Sequence, residues 1–199
     1  MVPLLSLLLQ RGRCRACGAR LSWFYPAVEV AALAVALMAW WRLPGPEVGW
    51  LWASCVLGWA LLALAWIDAR HFRLPDALTL PLIPAGLLAT QALAPAAVLD
   101  HAVAALAGYA SFALVAAGYR RWRGRAGLGA GDAKLLASCG AWLGLEALPM
   151  LVLLAALLGL AMALALAWRQ GRLRGDMAVP FGPALALACW LLWLWGPPG

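Results

Sequence analysis

The sequence predicts an all-α membrane protein, a polytopic bundle of about seven transmembrane helices with its N-terminus in the cytoplasm, and three observations carry that prediction. Of 199 residues, 66% are hydrophobic and only 12% charged, where a soluble domain is about a quarter charged. Seven apolar stretches approach the roughly 20 residues that a helix needs to cross a bilayer. Fourteen of the fifteen Lys and Arg residues fall in alternate connections between those stretches. The mean hydropathy of +0.87 agrees. So short a chain has little room for a domain outside the membrane, and any chemistry belongs at the helix ends.

Met1 to Gln10 is apolar but lacks a charged leading region and a small-residue cleavage site, and Arg11, Arg13 and Arg15 follow directly. It is too short to span and is not a signal peptide; it reads as an interfacial or packed segment. Residues 1–25 form a cytoplasmic N-terminal segment and residues 26–199 the transmembrane domain. The spans are Pro26 to Trp41, Val48 to Ile67, Ala77 to Leu93, Ala102 to Tyr119, Ala133 to Leu145, Ala147 to Trp168, and Val179 to Trp195. The fifth is short enough to be re-entrant, and the charges decide against that. Taken from the N-terminus, the connections hold four, one, two, none, five, none, three and no basic residues. The positive-inside rule then puts the rich connections in the cytoplasm and implies seven crossings. For the same reason the pI near 9.8 and the net charge of +7 report orientation and lipid contact, not nucleic-acid binding.

Trp40, Trp41, Trp50, Trp52, Trp66, Trp168, Trp193 and Trp195 fall near stretch ends, where an amphipathic ring prefers the interface. Gly140 with Gly144, and Ala104 with Gly108, have the small-x-x-x-small spacing that lets helices approach closely. Cys55, Cys139 and Cys189 lie in apolar stretches and read as packing residues.

The residues that demand an explanation are Asp68 and Asp132. A carboxylate beside a membrane is costly, and these two, 64 positions apart, fall at the same face. Asp68 closes the second stretch, where the helix dipole disfavours its charge. Asp132 follows Gly129-Ala130-Gly131, whose glycines let backbone approach the carboxylate. Two carboxylates within reach of one water perform aspartic peptidase chemistry, one activating the water and the other polarising the scissile carbonyl. From the dipole of its own helix, Asp132 is expected to be the ionised member and Asp68 the protonated one. The same acids would also suit a proton relay in a small transporter, but their placement on one side, not through the membrane's depth, disfavours that reading. Asp76 either caps the third stretch after Pro75 or stands beside it as a residue supporting the dyad or the substrate. Lys134 stands two residues past Asp132, able to tune the pair or to meet lipid phosphate.

These residues bear a resemblance to the prepilin peptidases, bacterial inner-membrane aspartic peptidases of the G-x-G-D group that serve type IV pili and type II secretion. The resemblance rests on Arg11-Gly12-Arg13-Cys14-Arg15-Ala16-Cys17, Ser22 to Glu29, Asp68 to Asp76, Gly129 to Leu135, and Val179-Pro180-Phe181-Gly182-Pro183. It implies that Asp68 and Asp132 are catalytic and that the substrates are prepilins or pseudopilins, cut after the glycine that ends a short basic leader. It implies no cofactor for hydrolysis, and S-adenosylmethionine for N-methylation of the new terminus. Gly129 and Gly131 are expected to support the dyad, Glu29 to help receive the basic leader, and Pro180, Phe181, Gly182 and Pro183 to line the substrate groove. Family members carry two C-x-x-C pairs that bind zinc; here Cys14 and Cys17 supply one pair, half of a tetrahedral site.

Overall fold

A computed structural model describes residues 22–42, 48–124, 129–170 and 180–196. Within them lie seven α-helices: α1 (Phe24–Arg42), α2 (Val48–His71), α3 (Asp76–Leu93), α4 (Val98–Arg123), α5 (Ala130–Leu143), α6 (Leu148–Gln170) and α7 (Gly182–Trp195), with one 3-10 turn at Pro95–Ala97. Each apolar stretch of the sequence is one helix. The architecture is a polytopic helical bundle.

Five helices, α1, α2, α3, α4 and α6, are long and apolar enough to cross a membrane. Helices α5 and α7 have 14 residues each, about 21 Å at 1.5 Å per residue, against a hydrocarbon core of about 30 Å. The expectation of about seven spans is thereby refined, and burial explains it. Nine residues of α5 and eight of α7 are buried. A helix enclosed by other helices has no need to match the lipid.

Both short helices nevertheless run from one end of the bundle to the other. Along α5, Lys134 reaches Asp76 at the start of α3, and Ser138 donates to the Thr79 carbonyl at 2.9 Å. Further on, Trp142 Nε1 donates to the Leu82 carbonyl at 2.9 Å, so α3 and α5 run parallel. At the start of α7, Gly182 meets Asp68 at the end of α2; near its end, Trp193 Nε1 donates to Ser54 Oγ near the start of α2 at 2.8 Å. Those helices are antiparallel. One end of the bundle therefore gathers the end of α2 and the starts of α3, α5 and α7, which places Asp68 and Asp132 together.

Small residues permit this closeness. A Cβ on Gly140 would lie 2.6 Å from the Ala104 carbonyl oxygen, and one on Gly108 would lie 3.0 Å from that of Leu136. The expected close approach thus joins α4 to α5 through Ala104, Gly108 and Gly140. Gly144 is no part of that seam: it ends α5 at φ +79, a positive φ suited to glycine.

Candidate active site

Helix α2 stops at its C-terminus because Phe72 turns to φ +52 and Pro75 then starts α3 from an extended conformation. Asp68 is left on the last turn, 6% exposed. Helix α5 begins after Gly129, which is also extended, and Asp132 reaches back so that its Oδ2 accepts a hydrogen bond from the Gly129 N–H at 3.2 Å. This is the carboxylate half of a capping box; the glycine has no side chain to supply the other half. A Cβ on Gly131 would lie 2.9 Å from Leu74 Cβ, so the start of α5 fits closely against the α2–α3 connection.

Between these segments opens a cavity of about 770 Å³, lined by Ile67, Asp68 and the 71–76 connection on one side and by residues 129–132 on the other. That volume lies in the usual range for a ligand site. Both aspartates line it. Burial, and after it the charge of Asp68, push the Asp132 carboxyl up to about 6, while the Gly129 N–H works in the opposite direction. Two carboxylates that feel each other in one cavity titrate as a pair and favour holding one proton between them.

Asp68 is steadied from behind. Its Oδ2 accepts a hydrogen bond from the Gly182 N–H at 2.9 Å, on the first turn of α7, where a helix N-terminus favours negative charge. The expectation of an ionised Asp132 and a protonated Asp68 considered only the helix that carries each residue. The fold presents α7 to Asp68 and crowds Asp132, so the simple dipole argument for that order fails. A Cβ at residue 182 would lie 2.6 Å from Asp68 Oδ2 and 2.9 Å from its Cγ. Only glycine leaves the carboxylate this place.

The other expected site residues separate into groups. Gly129, Gly131 and Asp76 line the cavity with the aspartates. Lys134 does not, and its ammonium is held by Asp76 Oδ1 at 2.6 Å, pinning α5 to α3 at the cavity's edge. Pro180, Phe181 and Pro183 stand behind Asp68 with Gly182 and not along the cavity; the half-buried Phe181 ring packs 6.1 Å from Phe112. Glu29 sits half-buried on α1, away from the cavity lining. Cys14 and Cys17 lie outside the described residues, among which no cluster of three metal-binding side chains occurs. Sequence reasoning passed over Phe72. The signal was an aromatic residue where a helix must stop, three positions before Pro75, with no glycine to make the turn.

Comparison with known proteins finds relatives along most of the chain. Residues 55–164 match the model of the type IV leader peptidase family, and residues 1–43 match that of the bacterial peptidase A24 N-terminal domain. The chain is 41% identical over 195 residues to a prepilin leader peptidase/N-methyltransferase of Aeromonas hydrophila, covering 98% of this chain and 66% of that protein. Proteins of the same name from Neisseria gonorrhoeae and Burkholderia pseudomallei (strain 1026b) are 36% and 44% identical, over 96% and 93% of this chain and 64% and 59% of theirs. The chain thus spans just under two thirds of the length of these relatives. No solved structure matches. With the G-x-G-D aspartate and its partner in one cavity, and with that family's model covering more than half of the sequence, the chain belongs to the type IV leader peptidase family.

Proposed function

We propose that this protein is a membrane aspartic endopeptidase that removes the basic leader from prepilins or pseudopilins. The observation that carries the proposal is the pair Asp68 and Asp132, in one cavity at one end of the bundle, close enough for the first to raise the other's pKa. With a single proton on the pair, the ionised carboxylate takes a proton from water as the water oxygen attacks the scissile carbonyl. The protonated partner gives its proton to the carbonyl oxygen. Collapse of the tetrahedral intermediate with proton transfer to the leaving amine breaks the C–N bond and leaves a carboxyl and a free amine. The step needs no cofactor.

Among the described residues, the dyad end carries Arg70, Arg73, Arg120, Arg121, Arg123, Lys134 and Arg169, and the opposite end carries Arg42. By the positive-inside rule the cavity faces the cytoplasm, and for this family the membrane is the bacterial inner membrane. A proton-relay transporter would need acids through the depth of the bundle, whereas both aspartates stand at one end. The relatives' name joins leader cleavage to N-methylation; the methyl donor would be S-adenosylmethionine, and the dyad cavity is assigned only the cleavage. Zinc, if held, would take Cys14 and Cys17 with two further ligands.

The test is cleavage of a purified prepilin by the full chain in lipid nanodiscs, with Asp68→Asn and Asp132→Asn assayed separately. Each substitution should lower turnover by about three orders of magnitude or more, the loss expected when an acid–base group is removed. A variant that stays folded and keeps full activity would exclude its aspartate from the chemistry.

A further inference from the structure

Three helices of the bundle end on a residue with positive φ. Helix α4 ends at Gly124, φ +70, whose N–H donates to the Arg120 carbonyl at 2.9 Å. Helix α5 ends at Gly144, φ +79, donating to the Gly140 carbonyl at 3.0 Å. Helix α2 ends the same way at Phe72, φ +52, donating to the Asp68 carbonyl at 2.8 Å. All three share a positive φ and an N–H bond to the carbonyl four residues back, and glycine is the usual residue for such a φ. A bulky aromatic residue there is strained. Among the described residues Phe72 is the only non-glycine residue with positive φ.

Burial of the ring does not compensate for that strain. Phe72 is 55% exposed, so folding gains only part of what a buried phenylalanine provides. Nor does it join the neighbouring aromatic cluster, in which Arg70 lies over Trp66 at 4.7 Å and over Phe24 at 5.3 Å. Phe72 instead lines the dyad cavity together with Ile67, Leu74 and Pro75, an apolar wall beside two carboxylates. A strained residue at such a place points to a role in what enters the cavity.

We infer that Phe72 is a specificity-determining residue, whose ring takes up an apolar side chain flanking the scissile bond. This deepens the peptidase reading and rests on it. The same turn fixes the backbone of Asp68 through the 2.8 Å bond from the Phe72 N–H, so the residue that reads the substrate is joined directly to the residue that cuts it. Replacement by glycine keeps that bond and the turn and removes only the ring.

The experiment compares wild type with Phe72→Gly and Phe72→Leu, as full chains in nanodiscs. Prepilin substrates keep the glycine before the cleaved bond and carry either a large apolar residue or alanine at the position after it. Wild type should prefer the large side chain at that position by about tenfold or more in kcat/KM, the scale on which an apolar pocket discriminates. Phe72→Gly should reduce that preference to less than about threefold while raising the melting temperature, because glycine relieves the strained turn. Phe72→Leu should fall between. A preference unchanged in Phe72→Gly overturns the inference; a uniform loss on all substrates does so too, and marks the ring as a membrane-interface anchor. A lowered melting temperature in Phe72→Gly also overturns it, because the ring would then be structural. Absence of cleavage by wild type on every substrate is a different result: it removes the peptidase reading and this inference with it.

Discussion

The two ends of the bundle bury polar groups in opposite ways. At the far end, His101 is buried with Nδ1 at 3.0 Å from the Ala141 carbonyl oxygen and 3.1 Å from Thr90 Oγ1. The carbonyl can only accept, which assigns the proton to Nδ1. Thr90 passes its own hydroxyl proton to the Gly86 carbonyl at 3.0 Å, and Asp100 Oδ2 accepts from the Leu145 N–H at 2.8 Å. Each of these groups has a complementary partner, and together they tie α3, α4 and α5 into one block. At the dyad end, two carboxylates face the same cavity and oppose each other's charge, a helix ends on a strained aromatic, and the space between remains open. Matched partners at one end anchor the helices; two like charges crowded at the other hold the chemistry. Burial of a polar side chain does not by itself mark a site. Conflict among buried groups does.

The strongest way to break that contrast is Gly182→Val. The new side chain would occupy the place of the Asp68 carboxylate, and turnover on prepilin should fall about a hundredfold or more, as when a catalytic group is moved by about 1 Å. The substitution sits on a helix start with Asp68 as its close neighbour, so the fold should hold in a thermal melt; equal loss of fold and activity would mean that Gly182 serves packing alone.

A second variant works on the anchoring end. His101→Ala strips the Ala141 carbonyl of its side-chain donor and opens space between α4 and α5, so stability should fall by about 2 kcal/mol. Activity per folded molecule, measured below the melting transition, should stay within about twofold of wild type. A selective loss of turnover would show that the two ends are coupled.

The third expected effect is smaller and of opposite sign. With its pKa raised to about 6 in the fold against an ordinary value of 3.8, Asp132 binds its proton more tightly folded than unfolded. That favours the folded state at low pH, and the advantage is lost as pH rises through about 6. Asp132→Asn never ionises and escapes the penalty. It should therefore be more stable than wild type above pH 6, on the order of 1 kcal/mol after allowance for solvent and for the coupled partner. The difference should shrink to nothing below about pH 4. A constant difference across pH 4–8 would remove the mutual repulsion from the account. In the same range, wild-type cleavage should decline as pH rises above about 6 and the shared proton leaves.

Much of this was legible beforehand. The seven helices appear where the apolar runs place them, to within a few residues, since a continuous apolar stretch in lipid has to satisfy its own backbone and does so as a helix. The shared end of Asp68 and Asp132 follows from counting charges, because alternate connections must lie on alternate sides. What a linear pattern could not show is which helices touch. It treated α5 and α7 as spans like the rest, yet they are the short inner pair. It assigned Gly182 to a groove wall, while the fold uses its N–H to hold Asp68. It gave Lys134 to the dyad or to lipid, while Asp76, 58 positions earlier, holds it.

The sequence alone determined the class of the protein, the order of its described helices, and the end of the bundle where two acids collect. These follow from solvation and charge, which act on each segment wherever its neighbours are. Only the tertiary structure decided which N–H supports which carboxylate, which aspartate is crowded, and that α2 ends on an aromatic residue beside the cavity. Those outcomes depend on distances of a few ångströms between segments remote along the chain, where electrostatic and steric energies change steeply, and no periodicity in a sequence records such distances.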